Sequence, residues 1–274
     1  MKKLLAFVLL VASTITGWAA GEKEGMDIFL FLGQSNMAGY GDIYPEDRQD
    51  LDGVFTLRET KDEANPYRWE KSHQPYNVGL PSYRFSLAGP FVQAYHLTYP
   101  NATVGVVSKA WGGAAISQMN KGTKFYDEII RQAKWAKKSG TLKAILWHQG
   151  ESDTVNKDVA DKYEERLAKL INDLRTDLGM PDLPFIIGDL AEFYGTHKEH
   201  SAPERLKQIE QVREALRTMQ DKLPNVGFVK TTGLVSHDFH QVHFGRDSYI
   251  ILGNRYFDVY WTKFCKKFVY PEKK

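Results

Sequence analysis

Ser35, in Gly33-Gln34-Ser35-Asn36-Met37, and His243, in Val242-His243-Phe244, can together do nucleophilic chemistry. A serine hydroxyl attacks effectively when a neighbouring imidazole takes its proton. The imidazole in turn needs a carboxylate at its other nitrogen, which fixes the tautomer and stabilises the cation. Two acids can fill that place: Glu151, in "WHQGESD", and Asp238, five residues before His243 in "SHDFHQVHFG". A tetrahedral oxyanion needs fixed donors, which backbone amides at Gly112-Gly113 and the side-chain amide of Gln149 can supply. The set reads as the parts of acyl transfer. Taken singly, each part has a plainer use: Ser35 as a helix cap, Gly112-Gly113 as a turn, Gln149 as a tie between loops, His243 as a loop histidine.

These residues follow short apolar runs. The runs are "DIFLFL" (27–32), "TVGVVS" (103–108), "LKAILW" (142–147), "PFIIGDL" (184–190) and "NVGFVKT" (225–231). Unbroken apolarity over so short a span suits strands buried on both faces. Amphipathic segments lie between them. One carries apolar residues at 125, 126, 129, 130, 133 and 136; another at 159, 163, 167, 170, 171, 174 and 178; a third opens at Pro203. Strands alternating with helices predict a parallel sheet covered on both sides, here of five strands. The chemistry then gathers at the carboxyl ends of the strands, on one rim. The stretch from Asp42 to Ser86 breaks the rhythm and reads as a long insertion over that rim. Its Tyr67, Trp69, Tyr76 and Tyr83 favour an ordered wall.

The first nineteen residues have the pattern of a secretory signal peptide. Lys2 and Lys3 precede the apolar Leu4 to Ala12, and Gly17 and Ala19 lead to a cut before Ala20. The apolar run is too short for a membrane span. Residues 20–274, about 255 residues, are enough for one α/β domain. The chain has 36 Lys+Arg against 34 Asp+Glu, and removing the leader equalises the two. No basic field therefore points to nucleic acid or an anionic membrane. The single cysteine, Cys265, cannot staple an exported fold, which must rest on its core.

"GQSNM", "AWGGAAI", "WHQGESD" and "VHFGRDSYIILGNRY" resemble the blocks of the SGNH/GDSL hydrolase superfamily. The likeness is to its sialate O-acetylesterase and acetylxylan esterase branch, carbohydrate esterase family six, and runs from Asp27 to about Tyr260. The resemblance implies a flavodoxin-like three-layer α/β/α sandwich, with Ser35 as nucleophile and His243 as base. It also implies an oxyanion hole from the Ser35 amide, an amide of Gly112 or Gly113, and the Gln149 side chain. The family's usual Asp three residues before the histidine is His240 here, so the acid is Glu151, which is favoured, or Asp238, or none. An α/β-hydrolase elbow, G-x-S-x-G, is excluded because Met37 stands two after Ser35.

His237, His240 and His243 recur every third residue, a spacing that some metal sites use. A loop is the plainer setting, and no metal or cofactor is expected. Arg84 can hold an acidic sugar or pack at the surface. Trp111 and Trp147 can stack on a sugar ring or sit in the core. The expected protein is an exported serine esterase that removes O-acetyl groups from a carbohydrate. A catalytically silent carbohydrate-binding protein on the same fold, and a lipid or thioester hydrolase, are the alternatives.

Overall fold

The computed structural model describes residues 25–77 and 84–265. The leader and Tyr83 lie outside them. Among the described residues, seven strands run in chain order as β1 (Met26–Gly33), β2 (Leu51–Glu59), β3 (Tyr67–Ser72), β4 (Val104–Ala110), β5 (Gly140–His148), β6 (Phe185–Gly188) and β7 (Val226–Val229). The helices are α1 (Ser35–Ala38), α2 (Ala88–Thr98), α3 (Lys124–Ala136), α4 (Lys157–Ala160), α5 (Tyr163–Leu178), α6 (Pro203–Lys222) and α7 (Arg246–Tyr260).

The sheet order is β3-β2-β4-β1-β5-β6-β7. The five apolar runs all become strands, and each lies parallel to its neighbours. The sheet is nevertheless seven-stranded and mixed, not five-stranded and parallel. The insertion forms a hairpin that extends the edge: β2 pairs parallel with β4, and β3 returns antiparallel to β2. Its charges conceal the strand pattern, because exposed and half-buried residues interrupt the buried ones in "LDGVFTLRE". Val54, Thr56 and Leu57 are buried, and the Thr56 and Ser72 hydroxyls meet across the hairpin at 2.6 Å. The insertion's described aromatics, Tyr67, Trp69 and Tyr76, form no wall over the rim. Tyr67 and Trp69 pack against Trp135 of α3, and Tyr76 is buried. Gly105 leaves room for Trp69, since a Cβ there would lie 2.9 Å from its ring.

Strand β1 is the centre. Ile28 to Leu32 have 0% exposure because β4 and β5 flank them and helices cover both faces. Phe29 meets Phe91, Tyr95 and Tyr260 edge-on at 4.9, 4.8 and 5.3 Å, which joins α2 and α7 to one face of the sheet. Truncating such a ring to alanine costs about 3–5 kcal/mol. Helices α3, α5 and α6 pack side by side. The connections from β4 through β7 all step the same way across the sheet. Right-handed crossovers therefore place these three helices on the face opposite α2. The buried stripe of α5 (Tyr163, Leu167, Leu170, Ile171, Leu174 and Leu178) is the one its periodicity predicts, and Gly179, at φ +65°, ends the helix.

The chain reverses its direction of travel across the sheet between β1 and β4, where open α/β sheets bind ligands. Gly33 pairs with Ala110 on one side and His148 on the other, so three strands end level. Among the described residues, no helix is long and apolar enough to cross a membrane.

Candidate active site

Gly33 has φ +149°, and a Cβ there would stand 2.1 Å from the His148 carbonyl oxygen. Only glycine fits between the level strand ends. Gln34 then donates its backbone N–H to His148 O at 3.0 Å, and Trp111 N–H donates to Gly33 O at 2.9 Å. Ser35 is the first residue of α1, so the N-cap position belongs to Gln34 and not to the serine. Ser35 is 5% exposed.

The two amides that flank the serine hold the rim together. Gln34 Oε1 accepts from Gln149 Nε2 at 3.1 Å and from the backbone N–H groups of Gly150 and Ser152, each at 3.3 Å. Asn36 Nδ2 donates to Glu151 Oε1 at 2.6 Å and to Val242 O at 3.0 Å. Asn36 Oδ1 accepts from Phe244 N–H at 3.3 Å and from the Tyr249 hydroxyl at 3.0 Å. The residue after Ser35 is thus bonded to the residues on both sides of His243. Ser35 and His243 are brought to the same end of the sheet across more than two hundred positions of sequence. Tyr40 stacks on the His243 ring, with centroids 4.1 Å apart and planes 5° from parallel.

His243 Nδ1 lies 2.8 Å from Asp238 Oδ2. The same carboxylate accepts the backbone N–H of His243 at 2.8 Å and of Val242 at 3.1 Å. Gln241, at φ +55°, bends the loop tightly enough to bring a residue five positions back against the imidazole. Burial pushes the Asp238 carboxyl up, but the two backbone N–H groups and the imidazole outweigh it and hold the group below its ordinary value. Burial lowers the His243 pKa; Asp238 raises it, and the net shift is downward.

The favoured acid, Glu151, is not the carboxylate at His243. Its Oε1 is held by Asn36, and its buried Oε2 has no hydrogen-bond partner among the described residues. Burial holds this carboxyl above its ordinary range, against the opposing pull of the Asn36 hydrogen bond. Gln149 also departs from expectation. It has 0% exposure, and its Nε2 faces three acceptors: Gln34 Oε1 and Ala114 O at 3.1 Å, and Asp153 Oδ2 at 2.6 Å. An amide so engaged ties the loops together. Asp153 completes the tie by accepting from Ile116 N–H at 2.8 Å.

Gly112 and Gly113 occupy a turn closed by Ala114 N–H to Trp111 O at 3.2 Å, with Gly113 at φ +75°. The turn sits beside the Ser35 turn through the Trp111–Gly33 bond. Trp111 is 44% exposed, whereas Trp147 is wholly buried. Arg84 is an exposed side chain 3.7 Å from Asp42. The three loop histidines do not converge. His237 Nδ1 meets Phe244 O, His240 Nδ1 meets Glu199, and His243 meets Asp238. His148, buried against Phe244, is pulled down to about 3 by burial and is neutral, with Nδ1 3.1 Å from the Tyr256 hydroxyl.

Sequence reasoning gave no roles to Asn36, Gln34, Asp153 or Tyr40. The signal for the first two was the pair of amides around one serine, more hydrogen-bonding capacity than a plain turn needs.

The sequence model of a family described as carbohydrate esterase, sialic acid-specific acetylesterase, matches residues 25–262. A probable carbohydrate esterase of Arabidopsis thaliana is 31% identical over 256 residues, which is 87% of this chain and 91% of the relative. A solved Arabidopsis thaliana structure superposes with TM-score 0.74 at 28% identity, covering 88% of this chain and 100% of that one. NanS superposes with TM-score 0.68 at 14% identity, covering 89% and 99%. The acetylxylan esterase Axe2 of Geobacillus stearothermophilus superposes with TM-score 0.53 at 15% identity, covering 86% and 95%. At these last two identities the likeness is one of fold.

Proposed function

The chain belongs to the sialic acid-specific acetylesterase family of carbohydrate esterases, and on that premise we propose that it removes O-acetyl groups from a carbohydrate through a Ser35 acyl-enzyme. As a member of that family it is a carboxylic ester hydrolase. In the proposed mechanism Ser35 Oγ attacks the acetyl carbonyl carbon while His243 Nε2 takes the hydroxyl proton. The negative charge that develops on the carbonyl oxygen is met by backbone N–H groups of Ser35 and of the Gly112-Gly113 turn. The Ser35 amide opens α1, where a first-turn N–H has no intrahelical acceptor, whereas Met37 and Ala38 N–H donate to Gln34 O. Gln149 has no part in this hole and instead supports the loops that form it.

Collapse of the intermediate expels the sugar oxygen, which takes the proton from His243. Water, deprotonated by the same imidazole, then attacks the acetyl-serine carbonyl; the Ser35 Oγ–acyl bond breaks, Oγ takes the proton back from His243, and acetate leaves. Asp238 keeps the proton of neutral His243 on Nδ1, leaving Nε2 as the base, and stabilises the cation as it forms.

One observation carries this reading. His243 is bonded to Asp238 at 2.8 Å, and its loop is fastened on both sides by Asn36, the residue next to Ser35. Trp111, exposed beside the glycine turn, offers a face on which a sugar ring can stack. The lysine-led apolar stretch at 1–19 supports export. The test is covalent labelling. A fluorophosphonate that modifies activated serines should give a single adduct on the Ser35 peptide, and H243A should abolish it. A label on another serine would remove the proposal.

A further inference from the structure

The loop after β6 and the loop that carries His243 meet a second time, away from the serine. His197 and Glu199 come from the first, and His240 from the second. One ligand atom from each lies within 4.8 Å of the other two. His240 Nδ1 stands 2.9 Å from Glu199 Oε2, and His197 Nδ1 stands 3.9 Å from the same oxygen. The backbone N–H of Glu199 lies 3.4 Å from His197 Nδ1, a long contact that a metal ion at that nitrogen would displace. The two imidazoles meet edge-on at 5.4 Å, and Phe239 packs against both. None of the three takes part in the proposed ester hydrolysis.

We propose that His197, Glu199 and His240 bind a divalent transition-metal ion of the zinc class, which clips the Asp238–His243 loop to the loop after β6. The donor set decides the class. Two imidazole nitrogens and one carboxylate suit zinc, whereas calcium and magnesium call for oxygen ligands. Zinc with bonds of ~2.0–2.2 Å needs its ligand atoms roughly 3.4 Å apart. The present separations reach that with shifts of about 1 Å, and Glu199 and His240 are exposed enough to make them. A water molecule would complete the tetrahedron. His240 occupies the position where the family resemblance leads one to expect the triad acid, and its outward turn is what frees it for this second role. The site goes beyond the esterase reading, because it stands whether or not Ser35 is the nucleophile.

The test is isothermal titration of the chelator-treated full chain with zinc sulfate, with thermal melting in parallel. The expected result is one saturable zinc per chain and a raised Tm. H197A and H240A should each weaken binding by ~10²-fold or more, beyond the ~10–100-fold typical of losing an outer-shell partner. H237A, which alters a histidine of the same loop outside the cluster, and H243A should both keep wild-type affinity. Calcium and magnesium should not compete. Absence of saturable binding, wild-type affinity in H197A and H240A, or loss of zinc in H243A alone would each overturn the proposal.

Discussion

Asp238 holds His243 twice with one oxygen: Oδ2 accepts the backbone N–H and faces Nδ1 of the ring, both at 2.8 Å. The side chain therefore shapes the loop and orients the imidazole in one contact. An acid five residues away succeeds here because the turn at Gln241 folds the segment back on itself. Asp238→Asn should lower kcat by ~10³–10⁴-fold, as expected when the imidazole loses its tautomer control. Glu151→Gln should leave kcat within about tenfold of wild type, since the replacement can still accept from Asn36. Steady-state acetate release by the two variants decides between the acids. The reverse ranking would return the role to Glu151.

The pH profile follows from the environment of His243. The base must be neutral to act, and burial outweighs Asp238 in setting its pKa below the ordinary 6.5. The acid limb of kcat/KM, which reports the free enzyme, should have its midpoint below 6.5. Asp238→Asn removes the contribution that raises the pKa, so the midpoint should move lower still. A wild-type midpoint above 7 would contradict the assignment. Glu151 makes a separate prediction for stability. Its folded pKa is raised, so its contribution is fully present below the unfolded value of 4.5 and is lost as pH rises through the folded value. Denaturant midpoints of Glu151→Gln should gain on wild type with rising pH, and a constant difference would refute this.

Gln149 is expected to act on stability. Its removal takes away the side-chain donor to Ala114 O and one of the donors to Gln34 Oε1 and to Asp153 Oδ2. Gln149→Ala should destabilise the protein by roughly 1–3 kcal/mol, as for other buried groups left unpaired. Chemical denaturation measures this directly. An unchanged midpoint with a 10²–10³-fold fall in kcat would instead restore it to the oxyanion hole.

Trp111 is an exposed aromatic beside the glycine turn. Trp111→Ala should raise KM for acetylated oligosaccharides by about tenfold and leave hydrolysis of a small acetyl ester unchanged. A stacking contact of ~1 kcal/mol gives an effect of that order. Equal loss on both substrates would assign Trp111 to the fold of the glycine turn.

Much of this architecture was legible in the sequence because β1 and its neighbours are buried on both faces, which leaves unbroken apolar runs. The strand-end positions of Ser35, Gly112, Gln149 and His243 followed from those runs. The hairpin was hidden because β2 and β3 lie at the sheet edge, where Arg58, Glu59, Arg68 and Glu70 are tolerated among the inward residues. Glu151 was favoured over Asp238 because the reach of Asp238 depends on a left-handed residue at Gln241, and a non-glycine in that conformation carries no clear sequence mark. The bond from Gln149 to Asp153, four residues on, was not legible, because residue type alone does not show which acceptor an amide meets.

Replacement of the Ser35 hydroxyl is the most direct measurement. Acetate release from an acetylated glycan panel should fall by ~10⁴–10⁶-fold in Ser35→Ala, with circular dichroism and Tm unchanged. Turnover within tenfold of wild type by a folded Ser35→Ala protein would contradict the account.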